Sequence, residues 1–588
     1  MKHWYVWPGP LCIAMGTLLG LVAEPGATRP LPQAGAAAGQ QSQQPQPAQR
    51  PASTPIPTMR TTTRLVQVSV VAHDGHGQPI SDLTADDFRV FDNGQEMKVE
   101  FFSKESSGDL AAAPEVAGET GPGKVWSNRG TRGGLPVNIT ILLWDALNTR
   151  PADQSRSRQH IIRFLSTMRP EDRIALYALG DELRVLHDFT SDSSSLLRAV
   201  ERHGTHTGTN APANTPPVTE EETTYDPDLD AFLAGQDALF ASFQTQDRVL
   251  RTVDALEAIA THVASLPGRK SLVWISDSFP LQLGFLSNTV GNWEFSENVE
   301  RAARALNDAN VAVYPVDPRG VATNLGAVSS PGPRPGMRMS PNMYTPTSAG
   351  SQTTTTMEAF ATLTGGVAYH DTNDLSGAIR QAMDDSRLVY TLAYTPLHGE
   401  WDGKYRKIRV EVRRSGVHLR YRSGYLATPY TPMNSTQQTH VLAEAQWSPL
   451  EAAEIGLSLQ AEPATVAGGK PGIRFSVVAD PAGLRFTDTG GMHAADLVLT
   501  LAQKAADGHL VFEETKTLKL RLPEARYQAV VAKGLRLAGS QPVDSAAVQF
   551  RVVILDLATG RLGSLQVPVS KLGLALPPAT AAPAPPKP

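Results

Sequence analysis

Between Pro136 and Arg387, short apolar runs alternate with stretches whose apolar residues recur at helical spacing, and few architectures accept that pattern. The runs 137–144, 174–179, 271–276 and 311–316 each have the length and apolar content of one buried strand. Between the first two, Ile161, Ile162, Leu165 and Met168 recur at steps of three and four, which predicts an amphipathic helix. Further helices are predicted from near Ser194, over 247–265, over 296–307, near 358–363 and over 374–385. A strand that returns through a helix to a neighbouring strand does so in parallel, by a right-handed crossover that leaves helices on the sheet faces. The predicted fold class is therefore α/β: a doubly wound, mostly parallel sheet.

The rest of the chain surrounds this domain with β sequence. At 588 residues the chain exceeds what one hydrophobic core serves. Lys2 and His3 precede the apolar stretch 11–23, and small residues follow, so residues 1–25 read as a secretory signal peptide. The protein is accordingly expected to be exported: periplasmic, associated with the cell envelope, or secreted, with no integral membrane span in the mature chain. The single cysteine, Cys12, lies inside that signal, which leaves the mature chain without disulfide or thiol chemistry. Residues 26–60, rich in Gln, Pro and Ala, read as a disordered linker. Alternation over 64–72, a turn at Asp74–Gly77 and a second run at Phe88–Phe91 before Asn93-Gly94 predict a small β unit over 61–104. Residues 105–135 read as a linker and 136–387 as the α/β domain, with insertions at 204–246 and 321–356. Residues 388–428 read as a β-hairpin extension, 429–575 as a β-sandwich, and 576–588 as a disordered tail. The net charge of −5 gives no nucleic-acid footprint.

The first strand ends abruptly in Asp145, followed by Asn148 and Thr149, and the run 271–276 ends in Asp277. In open α/β sheets the carboxyl ends of the strands frame the ligand crevice, so two carboxylates from separate strands are expected to meet there. Asn148, Ser278 and Asp317 are placed at the same edge as lining residues. Oxygen donors with few carboxylates suit Mg²⁺, which keeps positions for water or for a partner's carboxylate. Other motifs carry less. Gly118–Lys124 has phosphate-loop spacing, but Val125 replaces the hydroxyl and neither a strand nor a helix flanks it. His203 and His206 lack a third ligand. Neither a Gly-x-Ser-x-Gly elbow nor a His-Glu-x-x-His helix occurs, so a binding protein is expected rather than an enzyme.

On the Asp145–Thr149 segment, Leu186–Asp192, Trp274–Asp277 and Ala312–Asp317, the region 136–387 resembles a von Willebrand factor A domain. The wider chain resembles the exported proteins of environmental, acidobacterial-type bacteria that carry this domain. The matching segments are Leu83-Thr-Ala-Asp-Asp-Phe88, Asp317-Pro-Arg-Gly320, Thr364-Gly-Gly366, the run Tyr390–Pro396 and Arg422-Ser-Gly-Tyr425. The resemblance implies an adhesion role toward a protein or a surface glycan. It also implies a metal-ion-dependent adhesion site in which Asp145, Thr149, a loop threonine and Asp277 hold Mg²⁺. Thr207 is taken for the loop position, and Thr205 or Thr209 fits it equally. Leu147 departs from the family pattern by standing where a serine oxygen is expected. The competing expectations are a metal-independent structural or envelope-assembly protein and, third, a hydrolase.

Overall fold

The computed structural model describes residues 65–106, 125–129, 139–203, 227–266, 268–277, 293–320, 356–397, 401–427 and 433–574. Within this unit the central sheet has the spatial order Val311–Val316, Lys270–Ile275, Ile139–Asp145, Arg173–Leu179, Leu183–Thr190. The first four strands are parallel. The fifth is antiparallel, so the sheet is mixed. That edge strand covers most of the Leu186–Asp192 segment. The turn Gly180–Glu182 folds it back on its neighbour, and Arg184 and Val185 face solvent. Pro315, which lacks an N–H, lies in the opposite edge strand, where a missing donor is tolerated.

All seven residues of Ile139–Asp145 are buried, and they divide by parity between two cores. Ile141 and Leu143 pack with Val253, Leu256, Ile259 and Val263 of the long helix Pro227–Val263. Leu142 and Trp144 pack with Ile161, Phe164 and Leu165 of the helix Pro151–Leu165 and with Ile379 and Met383 of Leu375–Asp384. A helix layer on each face is why these strands read as continuous apolar runs. The Thr364-Gly365-Gly366 segment brings the helix 356–364 tightly against the sheet, where the Thr364 hydroxyl accepts from Val313 N at 3.1 Å.

The small β unit and the hairpin extension are not separate. Val66–His73 pairs with Leu388–Tyr394, which pairs in turn with Phe101–Ser106. Phe88–Asp92 pairs with Tyr405–Val412 in a second sheet, and the two sheets close on Val68, Phe88, Val90, Tyr390, Leu392 and Val410. The α/β domain is thus inserted into this two-sheet unit. The motifs that carried the family resemblance fasten it: Tyr390 donates to Ile80 O at 2.8 Å, while Tyr394 and Tyr425 both donate to Asp92 Oδ2, at 3.1 and 2.8 Å.

The C-terminal sandwich packs one sheet, Leu535–Pro542, Lys470–Ala479, Leu457–Val466 and Val125–Ser127, against a second built on Met492–Lys504 and Gln549–Asp556. Val125–Ser127 corrects the linker reading of 105–135. Its Trp126 covers the sandwich core, and the neighbouring Asn128 side chain bonds Ala452 O, Ile455 O and Leu457 N. A three-residue strand whose partner lies more than 300 residues away leaves no local periodicity to read. Arg551, almost wholly buried, ties the sandwich to the preceding helix Ser435–Trp447 and its loop by donating to Ser448 O, to Leu450 O at 2.7 Å and to Ser564 Oγ. No helix among the described residues is long and apolar enough to cross a membrane.

Where Ser435–Trp447 meets the α/β domain, Glu444 and His440 face Asp254 and Glu257 of the long helix and Arg301 of Trp293–Asp308. Burial, then repulsion from Asp254 and Glu257, pushes Glu444 up to about 8. The folded state therefore keeps a proton that the unfolded chain, near 4.5, has released. The stability this proton confers is complete below the unfolded value and is lost as pH rises through the folded one. Thermal melts are expected to show Tm falling between about pH 5 and about pH 9, with a shallower fall in Glu444→Gln. An identical profile in that variant assigns the effect elsewhere.

Candidate functional site

Asp145 ends its strand, Asp317 directly follows its own and Asp277 stands two residues beyond Ile275; the three strands are adjacent and parallel, and all three carboxylates are buried at the carboxyl edge of the sheet. Asp145 is fully enclosed. Its Oδ1 accepts Asn148 N at 2.9 Å; its Oδ2 accepts Asn148 Nδ2 at 2.9 Å and Trp274 Nε1 at 2.8 Å. The Ser276 side chain adds a further bond. A carboxylate offers about four acceptor sites, and here protein donors take them. Burial raises the Asp145 pKa, against the pull of these donors. The group pins the loop after its strand, whereas the helix that follows has Arg150 as its N-cap and starts at Pro151. Asn148 Nδ2 reaches on to Thr252 Oγ1 at 2.9 Å, and Gln154 Nε2 holds the Ala146 and Thr149 carbonyls at 3.2 and 3.1 Å.

Asp277 is held by an arginine. The Arg150 backbone N–H and Nε–H donate to its Oδ2 at 3.1 and 2.8 Å, and Arg150 Nη2 donates to Asp153 Oδ2 at 2.8 Å. Burial lifts Asp277 to about 6 despite those bonds. Asp317 similarly receives the backbone N–H and the guanidinium of Arg319. A third guanidinium, Arg248, is 6 % exposed and feels the charges of Asp145 and Asp277; its Nε has no hydrogen-bond partner. The Thr149 hydroxyl and Asn148 Oδ1, both fully buried, also lack one.

The edge thus brings together Asp145, Asn148, Thr149, Asp277 and Asp317. Ser278, Thr205, Thr207, Thr209, His206 and the Gly118–Lys124 segment lie outside the described residues. Leu147 is not a vacant ligand position but part of the core beneath the long helix, and His203 sets its ring edge-on to Trp144 at 5.4 Å between centroids. Sequence reasoning missed Arg150, Arg319 and Arg248. The first two had a signal: each follows close behind a strand-ending aspartate, Arg150 next to Pro151 and Arg319 within Asp317-Pro-Arg-Gly320. Arg248 and the Trp274 indole reach the site only through tertiary packing.

This donor set does not fit Mg²⁺. A hard cation needs free oxygen lone pairs. Asp145 spends its own on N–H and hydroxyl donors, and Asp277 Oδ2 already faces a guanidinium. The unpartnered Thr149 and Asn148 oxygens keep lone pairs, but two neutral oxygens do not make a site by themselves, and no group of three or more His, Cys, Asp or Glu among the described residues is placed to hold a metal ion.

No protein-family model matches the chain, and no curated protein does. Solved structures similar to it include an aerotolerance-related membrane protein from Bacteroides fragilis, at 14 % identity over 42 % of this chain and 98 % of that one, with a TM-score of 0.23. A von Willebrand factor type A protein from Catenulispora acidiphila is 10 % identical over 61 % of this chain and 82 % of its own, again at 0.23. A pilus adhesin from Lactobacillus rhamnosus GG is 9 % identical over 74 % of this chain and 53 % of its own, at 0.23. The functional reading rests on the chain's own residues.

Proposed function

We propose that the protein is an exported binding protein that recognises a protein or a surface glycan of the cell envelope through the carboxyl edge of its central sheet. The observation that carries this reading is the convergence of Asp145, Asn148, Thr149, Asp277 and Asp317 from three adjacent strand ends, with buried polar atoms left unpartnered among them. Buried polar groups are normally paired, so unpaired ones beneath a strand-end crevice call for a partner such as a water or a bound group, and such crevices are where open α/β sheets take ligands. Export rests on the leader-like residues 1–25. The reading assigns no catalytic step and does not route binding through Mg²⁺, which brings it close to the metal-independent envelope-assembly alternative.

The test is retention of the full chain on a native envelope fraction. Wild-type protein is expected to be retained, and a variant with Asn148→Ala and Thr149→Val to be retained less, with its fold checked by circular dichroism. Equal retention of a folded variant, or none by the wild type, rejects the edge as the binding surface.

A further inference from the structure

The charges at this edge are layered. The carboxylates lie behind, with Asp277, Asp317 and Asp153 side chains 2 %, 6 % and 12 % exposed. The guanidinium groups stand in front of them, with Arg150, Arg156 and Arg319 at 50 %, 51 % and 29 %. Two of the three are fixed from the back: Arg150 by Asp277 and Asp153, Arg319 by Asp317. Arg150 further carries Pro151 at the first turn of its helix, so its backbone direction is set as well. The Nη1 atoms of Arg150 and Arg319 make no hydrogen bond among the described residues, so each planar fork keeps donors for a further acceptor. The nine-tenths buried Arg248 adds a fourth positive charge with an unpartnered Nε. A surface that shows cations outward and keeps its carboxylates behind attracts an anionic group, and a fork held by a second carboxylate has lost little freedom on binding one.

We propose that Arg150 is the resident cation of this edge in place of a divalent metal, and that the edge takes a carboxylate of an acidic partner directly onto the free faces of Arg150 and Arg319. This rests on the binding role above and names its ligand class. Leu147, packed into the core beneath the long helix, takes no part in this edge.

The experiment measures binding of fluorescent poly-L-glutamate to the full-length protein by anisotropy, with Mg²⁺ and with EDTA, beside Mn²⁺ binding followed by electron paramagnetic resonance. Equal poly-glutamate affinity in Mg²⁺ and EDTA is expected, together with no stoichiometric Mn²⁺ binding. Arg150→Ala with Arg319→Ala is expected to weaken poly-glutamate binding at least about 10-fold, and the paired Lys substitutions, which keep charge but lose the fork, by an intermediate factor. Should the Ala pair unfold, the Lys pair alone decides. Binding abolished by EDTA, one Mn²⁺ bound and released by Asp277→Asn, or Lys-pair affinity equal to wild type each overturns the proposal. Envelope retention without poly-glutamate binding overturns this inference and leaves the binding role standing; poly-glutamate binding without envelope retention does the reverse.

Discussion

Asp145→Ala is expected to lower the unfolding free energy by roughly 3–5 kcal/mol, and by the same amount in Mg²⁺ and in EDTA. The substitution removes one small group yet strands several donors. Asn148 N, Asn148 Nδ2, Trp274 Nε1 and the Ser276 side chain all point at the lost carboxylate from positions with no access to water. Each unsatisfied buried donor costs about 1–3 kcal/mol, and partial collapse of the loop recovers some of it. Asp145→Asn keeps the shape but turns an NH₂ toward other donors, so an intermediate loss is expected. Chemical denaturation followed by tryptophan fluorescence is a direct probe, because Trp274 bonds the carboxylate itself. A loss that appears only in Mg²⁺ returns Asp145 to the role of metal ligand. A loss under about 1 kcal/mol removes it as the structural pin of the loop.

The α/β domain was legible because its signals are local. A strand buried on both faces announces itself as an apolar run, as Ile139–Asp145 does, and the Ile161-to-Met168 spacing names a helix without its neighbours. The carboxylates at the sheet edge follow from the same reasoning, since a strand that ends in Asp must deliver it to the strand's carboxyl end. What escaped depends on pairing across long stretches of chain. The union of 66–106 with 388–426 is written only in partners such as Val68 with Leu392, and Val125–Ser127 is a strand only because Leu459 lies beside it. The charge state of the site escaped for a different reason. Sequence places an aspartate at an edge but not the cation that faces it, so Asp277 read as a free oxygen donor until Arg150 Nε was found 2.8 Å away. The motifs that point to a family, Leu83–Phe88 and Tyr390–Pro396, turn out to secure the β unit rather than the site, so they carry fold information and say little about ligand.

Gly366→Ala is expected to be among the most damaging single substitutions, costing at least about 3 kcal/mol. A Cβ at this position falls 1.9 Å from Val313 O and 2.7 Å from Val313 C. Those are backbone atoms of a strand paired along its length with Lys270–Ile275, so they cannot rotate away as a side chain does. The obstruction is relieved only by moving the helix 356–364 off the sheet, which opens the core around Phe360 and pulls the Thr364 hydroxyl from Val313 N. Retreat the other way is closed too: the preceding Gly365 has φ +81, and a Cβ there falls 2.6 Å from Arg422 N in the β unit. Gly377 provides the control. Its added Cβ meets the Asp374 carboxylate at 2.2 Å, but that is the end of a side chain able to swing out. The change forfeits one helix cap, about 1 kcal/mol, and recovers part of it through alanine's helix propensity. Equal stability of Gly366→Ala and Gly377→Ala in urea would mean that the helix slides freely on the sheet. A large gap between them places the constraint in the backbone, where the glycine pair lets a helix, the sheet and the interrupted β unit approach within one van der Waals contact.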